Sequence, residues 1–285
     1  MIYNNKLGLH IRLKDSINQI LDDALLYNVA YAQFFLTQTH RDSKYIKFSK
    51  EEQELFIQRK RELFSGIFVH SSYWINPASG KKSTQEVSRK LLKQEINLAE
   101  RLEIPYIVLH SGSATWHQPE LSPEENKLLG IKTLCSTLNA VLKDTTNVQI
   151  LLENTAHGNL CLGSDFQDFV LIKEFLDYPE KVAFCLDFSH AFSFGYNLEK
   201  EAEFTDILEK TIGLTNLKLI HFNDSLEPMG SQKDRHAIPG EGLIGAPVLQ
   251  SLIKNPAFSD IPKIIEVPLP EPEIMNITLR NISAW

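Results

Sequence analysis

Short apolar runs rich in β-branched and aromatic residues recur along the chain: LGLHI (7–11), AYAQFF (30–35), GIFVH (66–70), YIVLH (106–110), QILLEN (149–154), VAFCLD (182–187), LKLIHF (217–222) and KIIEV (263–267). Their composition and flanks predict eight strands. The longer segments between them carry helical periodicity, with start signals at STQE (83–86), SPEE (122–125) and SDFQ (164–167). Each pairs an N-cap hydroxyl with a carboxylate or amide three residues on, and Pro123 falls at a first helical position, where its missing N–H costs nothing. Near-continuous apolar strands alternating with helices require a parallel sheet covered on both faces, and the count of eight favours closure into an α/β (β/α)8 TIM barrel. An open doubly wound sheet would carry a glycine-rich phosphate turn after its first strand, and LGLHIRLKD has none. No linker, charge block or short repeat marks a boundary, so residues 1–285 read as one domain.

Composition narrows the classes. The 285 residues are 43% hydrophobic and 23% charged, which excludes disordered and low-complexity chains. No apolar stretch reaches the roughly 20 residues of a membrane span, and MIYNNKLGLHIRLKD lacks the parts of a signal peptide, so a cytoplasmic location without a membrane partner is expected. Cys135, Cys161 and Cys185, odd in number and widely spaced, read as buried thiols in helix, loop and strand. A net charge of -7 excludes coating of nucleic acid by bulk electrostatics but leaves room for a local site.

The strand ends carry the chemistry. Runs three to eight end on His70, His110, Glu153, Asp187, His221 and Glu266, and the C-terminal face of a barrel would gather all six in one cup. His190 follows Asp187 by three residues, and Asp234 and His236 lie in the loop after the seventh run. One polar strand end is ordinarily a capping or core group, but buried unpaired imidazoles and carboxylates packed together would cost several kcal/mol each. Cations are the ordinary way to satisfy them. Histidines and carboxylates without cysteine suit zinc or manganese, and nine such residues with a bridging carboxylate point to two or three ions.

These stretches, in order HSSYWIN (70–76), VLHSGS (108–113), LLENTA (151–156), CLDFSH (185–190), HFNDS (221–225), KDRHAIPGEGLIG (233–245) and IIEVP (264–268), resemble endonuclease IV, a family of metal-dependent apurinic/apyrimidinic (AP) endonucleases with xylose-isomerase-like barrels. The resemblance implies three divalent metal ions, zinc foremost and manganese as the other fitting ion. His70, His110 and Glu153 would hold one; Glu153, Asp187, His221 and Glu266 a second; His190, Asp234 and His236 a third. Glu153 is then the catalytic bridge that orients a metal-bridging hydroxide. The GEGLIG turn (240–245) is expected to bring backbone close to the third ion. The implied substrate is double-stranded DNA containing abasic sites, cut 5′ to the lesion to leave a 3′-hydroxyl, by a monomer.

The chain departs from the family pattern at Ser111, His157 and Phe188-Ser189, beside the ligands, and in the loop 37–42 (TQTHRD), where Gln38 and Arg41 stand in for the family's DNA-inserting residues. Tyr73 and Trp74 are candidates both for packing on an extruded sugar and for the apolar rim. His10 is a candidate phosphate contact, and Arg41, Lys44, Lys47, Lys81, Lys82 and Arg235 are candidate backbone contacts or simply a solvated surface. His40, His117 and His157 read as loop residues. A sugar isomerase or epimerase of the same superfamily would use one ion on Glu153, Asp187, His221 and Glu266, leaving the other five residues without a role. A barrel that binds DNA or a partner without cutting is the third reading, and it gives no reason for nine polar groups in one cup.

Overall fold

The computed structural model describes residues 3–36, 47–115 and 118–285. Gln38, His40, Arg41, Lys44 and His117 lie outside the described residues. The elements run β1 (Tyr3–His10), α1 (Ile17–Leu26), β2 (Val29–Phe35), α2 (Lys50–Leu63), β3 (Gly66–His70), α3 (Lys82–Arg101), β4 (Tyr106–His110), α4 (Pro123–Leu142), β5 (Gln149–Glu153) and α5 (Gln167–Phe175). They continue through β6 (Val182–Asp187), α6 (Phe188–Phe194), α7 (Glu201–Thr211), β7 (Leu217–His221), β8 (Asp224–Ser225), β9 (His236–Ala237), α8 (Ala246–Lys254), β10 (Lys263–Ile265) and α9 (Pro272–Ser283).

The eight longer strands close into a parallel barrel in the order β1-β10-β7-β6-β5-β4-β3-β2, and β8 and β9 form a small antiparallel ribbon on the loop after β7. Phe68, Val108, Leu151, Ala183, Cys185, Leu219 and Ile264 fill the barrel interior, while a larger apolar layer lies between strands and helices. Gly8 is required by this closure. A Cβ there would come within 2.4 Å of Tyr31 O on the neighbouring strand.

Register decides what the cup contains. His110 pairs with Glu153 across β4 and β5, and Asp187 pairs with His221 across β6 and β7. A one-residue slip would turn every such side chain to the other face, and the apolar positions before each strand end forbid it.

Two of the three expected helix starts differ. Ser122 does form a full capping box with Glu125. However, α3 begins at Lys82, so Ser83 lies inside its first turn, and the preceding turn is held by Gln85 Nε2 and Lys81 N–H donating to Ser79. Ser164 is engaged with Thr155 and His157 O instead, and Asp165 Oδ1 accepts from Gln167 N at 2.9 Å. Cys135 and Cys185 are buried, whereas Cys161 is half-buried in a bridge with Ser113.

Candidate metal centre

Glu153, at the end of β5 and fully buried, is the hub of the cup. Its Oε2 lies 3.2 Å from His70 Nε2 and 3.4 Å from His110 Nε2. Its Oε1 lies 2.8 Å from His221 Nδ1 and 3.4 Å from His190 Nδ1. Burial pushes this carboxyl up, but His110, His221 and His70 hold it well below the usual carboxylate range.

Asp187 ends β6 and also caps α6, where its Oδ1 accepts from His190 N at 2.7 Å. That cap explains the three-residue spacing: it sets His190 in the first turn of a helix aimed back across the cup. His236 on β9 and Asp234 before it close the other side, with Asp234 Oδ1 3.2 Å from His190 Nε2 and 3.1 Å from His236 Nε2. Asp187 Oδ2 also lies 3.5 Å from His236 Nε2.

Among the described residues three donor groups result, each with its ligand atoms within 4.8 Å of one another: His70, His110 and Glu153; Glu153, Asp187, His221 and Glu266; and Asp187, His190 and His236. The first two coincide in membership with the sets read from the sequence. In the third Asp187 joins the two histidines, with Asp234 alongside.

Hydrogen bonds on the far side of each ring fit a cation in the cup. His70 Nδ1 lies 2.8 Å from Ser71 O, His190 Nδ1 2.8 Å from Asn154 O, and His236 Nδ1 3.1 Å from Glu266 O. A carbonyl oxygen only accepts, so these nitrogens carry a proton, and each ring, where neutral, turns an Nε2 lone pair toward carboxylate oxygens. Lone pairs facing carboxylates repel unless a proton or a metal ion lies between them. Burial alone lowers the pKa of His190 and His236, but Asp187 and Asp234 outweigh it, raising His190 well above the ordinary value and His236 to about 9. His221 is raised as well, by Cys185, Glu266 and Glu153 against burial. His110, with less carboxylate around it, is lowered by burial to about 4.

A supporting layer lies beneath, and the sequence reading missed it. Buried Gln33, inward-facing on β2, accepts from His221 Nε2 at 3.0 Å and donates to Glu266 Oε1 at 2.6 Å, so that a neutral His221 ring would turn its Nδ1 lone pair to the cup. Asn223 Nδ2 donates to Asp187 Oδ2 at 2.8 Å, and its Oδ1 accepts from Glu266 N at 2.8 Å. Asn154 joins β5 to β6 through the Asp187 backbone. Alternation along β2 puts Gln33 on the inner face with Tyr31 and Phe35, and that was the available signal.

The glycine-rich turn 240–245 brings its backbone close to Asp224. This buried carboxylate accepts from the N–H groups of Ser225, Gly240, Gly242, Ile244 and Gly245, and a Cβ on Gly242 would fall 2.5 Å from Asp224 Oδ1.

The candidate nucleic-acid contacts are scattered around the rim. Tyr73 and Trp74 are 69% and 53% exposed, and the Tyr73 ring sits 5.7 Å from that of His70 and 5.9 Å from that of His110. His10, mostly buried at the end of β1, has Nδ1 3.2 Å from Glu266 Oε1 and no partner for Nε2 among the described residues. Arg235 is exposed, 3.4 Å from Glu227. Lys47, Lys81 and Lys82 are exposed, and His157 is held in its loop by Gln232 O. Among the described residues no helix is long and apolar enough to cross a membrane.

Residues 21–283 match the family described as xylose isomerase-like TIM barrel. A Mesomycoplasma hyopneumoniae protein named "Probable endonuclease 4" is 34% identical over 270 residues, 92% of each chain. A Heliobacterium modesticaldum protein of the same name is 30% identical over 263 residues, again 92% of each. The crystal structure of endonuclease IV from Thermus thermophilus superposes with a TM-score of 0.81 at 26% identity, covering 98% of both chains. A D-tagatose 3-epimerase-like protein shares the fold at a TM-score of 0.72 and 21% identity, over 98% of this chain and 96% of that one. The cup of histidines and carboxylates thus sits in a chain that belongs to the xylose isomerase-like TIM-barrel family and, within it, to the endonuclease IV enzymes.

Proposed function

We propose that the protein hydrolyses the phosphodiester 5′ to an abasic site in double-stranded DNA, leaving a 3′-hydroxyl, with three divalent ions, zinc foremost. The single observation that carries this reading is the convergence of three donor groups on one cup, sharing Glu153 and Asp187. His70, His110 and Glu153 would hold one ion, Glu153, Asp187, His221 and Glu266 the second, and His190, His236 and Asp234, with Asp187, the third. Bound there, the ions supply Lewis acidity that ionises water near neutral pH and neutralises the phosphoryl oxygens.

The chain's own residues do the positioning. Glu153 ties the donor sets together, and Gln33, Asn154 and Asn223 hold His221, His190 and Asp187 in single orientations. Tyr73 and Trp74 offer ring faces at the rim for an extruded sugar or a neighbouring base, and His10 Nε2 is left for a phosphate oxygen. Selection follows from the lesion itself, because a missing base lowers the cost of unstacking. A one-ion sugar isomerase would use only the four residues around His221 and leave the remaining donors idle.

The test is incubation of metal-loaded protein with a duplex holding one abasic analogue, beside Glu153→Ala and His70→Ala. Incision 5′ to the lesion with a 3′-hydroxyl product, abolished by chelation and in both variants, supports the reading. Folded protein with two or three bound ions that leaves the duplex whole overturns it.

A further inference from the structure

Away from the cup, the fully or nearly buried carboxylates Asp168 and Asp224 are satisfied where they sit. Asp168 pairs with Lys127 at 2.8 Å, and Asp224 is wrapped by backbone N–H groups. Glu95, in the middle of α3 and fully buried, is different. Its Oε1 accepts one hydrogen bond, from Ser72 N at 3.2 Å, and its Oε2 has no partner among the described residues.

Ser72 belongs to the loop that leaves β3 directly after His70. Its Oγ accepts from Trp74 N at 3.4 Å, and its carbonyl accepts from Ile75 N at 3.0 Å, so residues 72–75 form one tight turn. Ser71 N donates to Val108 O on one side of that turn, and Asn76 ties the other side to Ser113. Between these anchors, Glu95 is the group that grips the turn from the helix layer, while Tyr73 is laid against His70, His110 and Phe35.

We propose that Glu95 is a positioning residue: by holding Ser72 N–H it fixes the Tyr73-Trp74 turn over the His70 and His110 side of the cup, where the abasic strand is received. The inference rests on the endonuclease reading for its substrate. A buried carboxyl without a cation beside it is a costly way to fill a helix interior, and burial raises its pKa to about 8 against the opposing Ser72 N–H. It is therefore held as a neutral acid, which a glutamine imitates and a leucine does not.

The experiment compares wild type, Glu95→Gln and Glu95→Leu, each metal-loaded, for kcat and KM on the abasic duplex and for amide hydrogen exchange of residues 71–76. Leu removes the acceptor at similar volume: KM is expected to rise about tenfold with kcat within about twofold, and exchange in the turn to quicken about tenfold while β3 and β4 stay protected. Gln keeps the acceptor and is expected to match wild type in both. Faster exchange with unchanged KM makes the contact merely structural and overturns the proposal, as does a Gln variant that behaves like Leu. Should Leu fail to fold, Glu95→Met, which also lacks an oxygen acceptor but packs more adaptably, takes its place: a raised KM with faster exchange in the turn supports the role, and unchanged KM or unchanged exchange overturns it. Wild type that cuts nothing would sink the endonuclease reading alone, and the exchange comparison would still decide whether Glu95 holds the turn.

Discussion

His190 and His236 face each other through Nε2 atoms 3.2 Å apart, each with its Nδ1 against a backbone carbonyl. Were both rings neutral they would meet lone pair to lone pair, and no tautomer change relieves this without breaking a carbonyl contact; the raised pKa of both rings lets a proton serve where no metal ion is bound. One shared cation satisfies both nitrogens together with Asp234 and Asp187. Stripping bound metal should therefore destabilise the fold. At free zinc about a thousandfold above its dissociation constant, one site adds about 4 kcal/mol, or roughly 10 °C in Tm for a chain of this size. Calorimetry before and after chelation measures it, and His236→Ala should lose one ion per chain while keeping the rest. An unchanged Tm on chelation would mean the cup is satisfied by protons alone.

Gln33 fixes the His221 tautomer from below. Replacing it with leucine frees the ring to put its proton on the cup side and leaves Glu266 Oε1 without its amide donor. Metal affinity or incision should fall about 10- to 100-fold with the barrel intact. Competition with a chelating dye and the incision assay read the two effects separately. Full activity in Gln33→Leu would show that the carboxylates alone orient His221.

The strand ends were legible because a polar residue closing an apolar run is visible one residue at a time, and parallel register then brings His110 to Glu153 and Asp187 to His221. His190, Asp234 and His236 were visible only as polar residues just beyond strand ends, and their grouping on a third ion came from the resemblance, since the Asp187 cap and the β8-β9 ribbon that aim them have no periodic signature. The supporting residues were hidden for another reason. Alternation along β2 does place Gln33 inward, but Asn154, Asn223 and Glu95 are single polar residues whose burial depends on long-range packing, and from local sequence each reads as an ordinary surface amide or acid. Ser83 and Ser164 show the converse, a correct local signal overridden by neighbours at Ser79, Asp165 and Thr155.

Asp224 organises the loop that leads from β9 into α8 by accepting backbone N–H groups at 2.8 to 3.2 Å. Asp224→Asn keeps the shape but aims an N–H₂ group at donors, and it removes the charge that strengthens each bond. A loss of about 2 to 4 kcal/mol is expected in urea unfolding of the metal-loaded protein. Faster exchange should be confined to residues 240–245. A variant within about 0.5 kcal/mol of wild type would mean the turn holds itself.

Glu95 gives stability a pH dependence of known sign. Its carboxyl sits at about 8 in the fold against an ordinary 4.5, so the native state keeps a proton that the unfolded chain releases. Stability from this group is full below about pH 4.5, declines by about 1.4 kcal/mol per unit as pH rises, and levels off above about pH 8. The histidines and carboxylates of the cup titrate too, but they are common to wild type and Glu95→Gln, so the difference between the two isolates Glu95. From pH 5.5 to 8 that difference should move by about 3 kcal/mol in favour of Gln, read from paired urea curves. A constant difference would place the Glu95 carboxyl at its ordinary value and in contact with solvent, contrary to its burial behind Ser72.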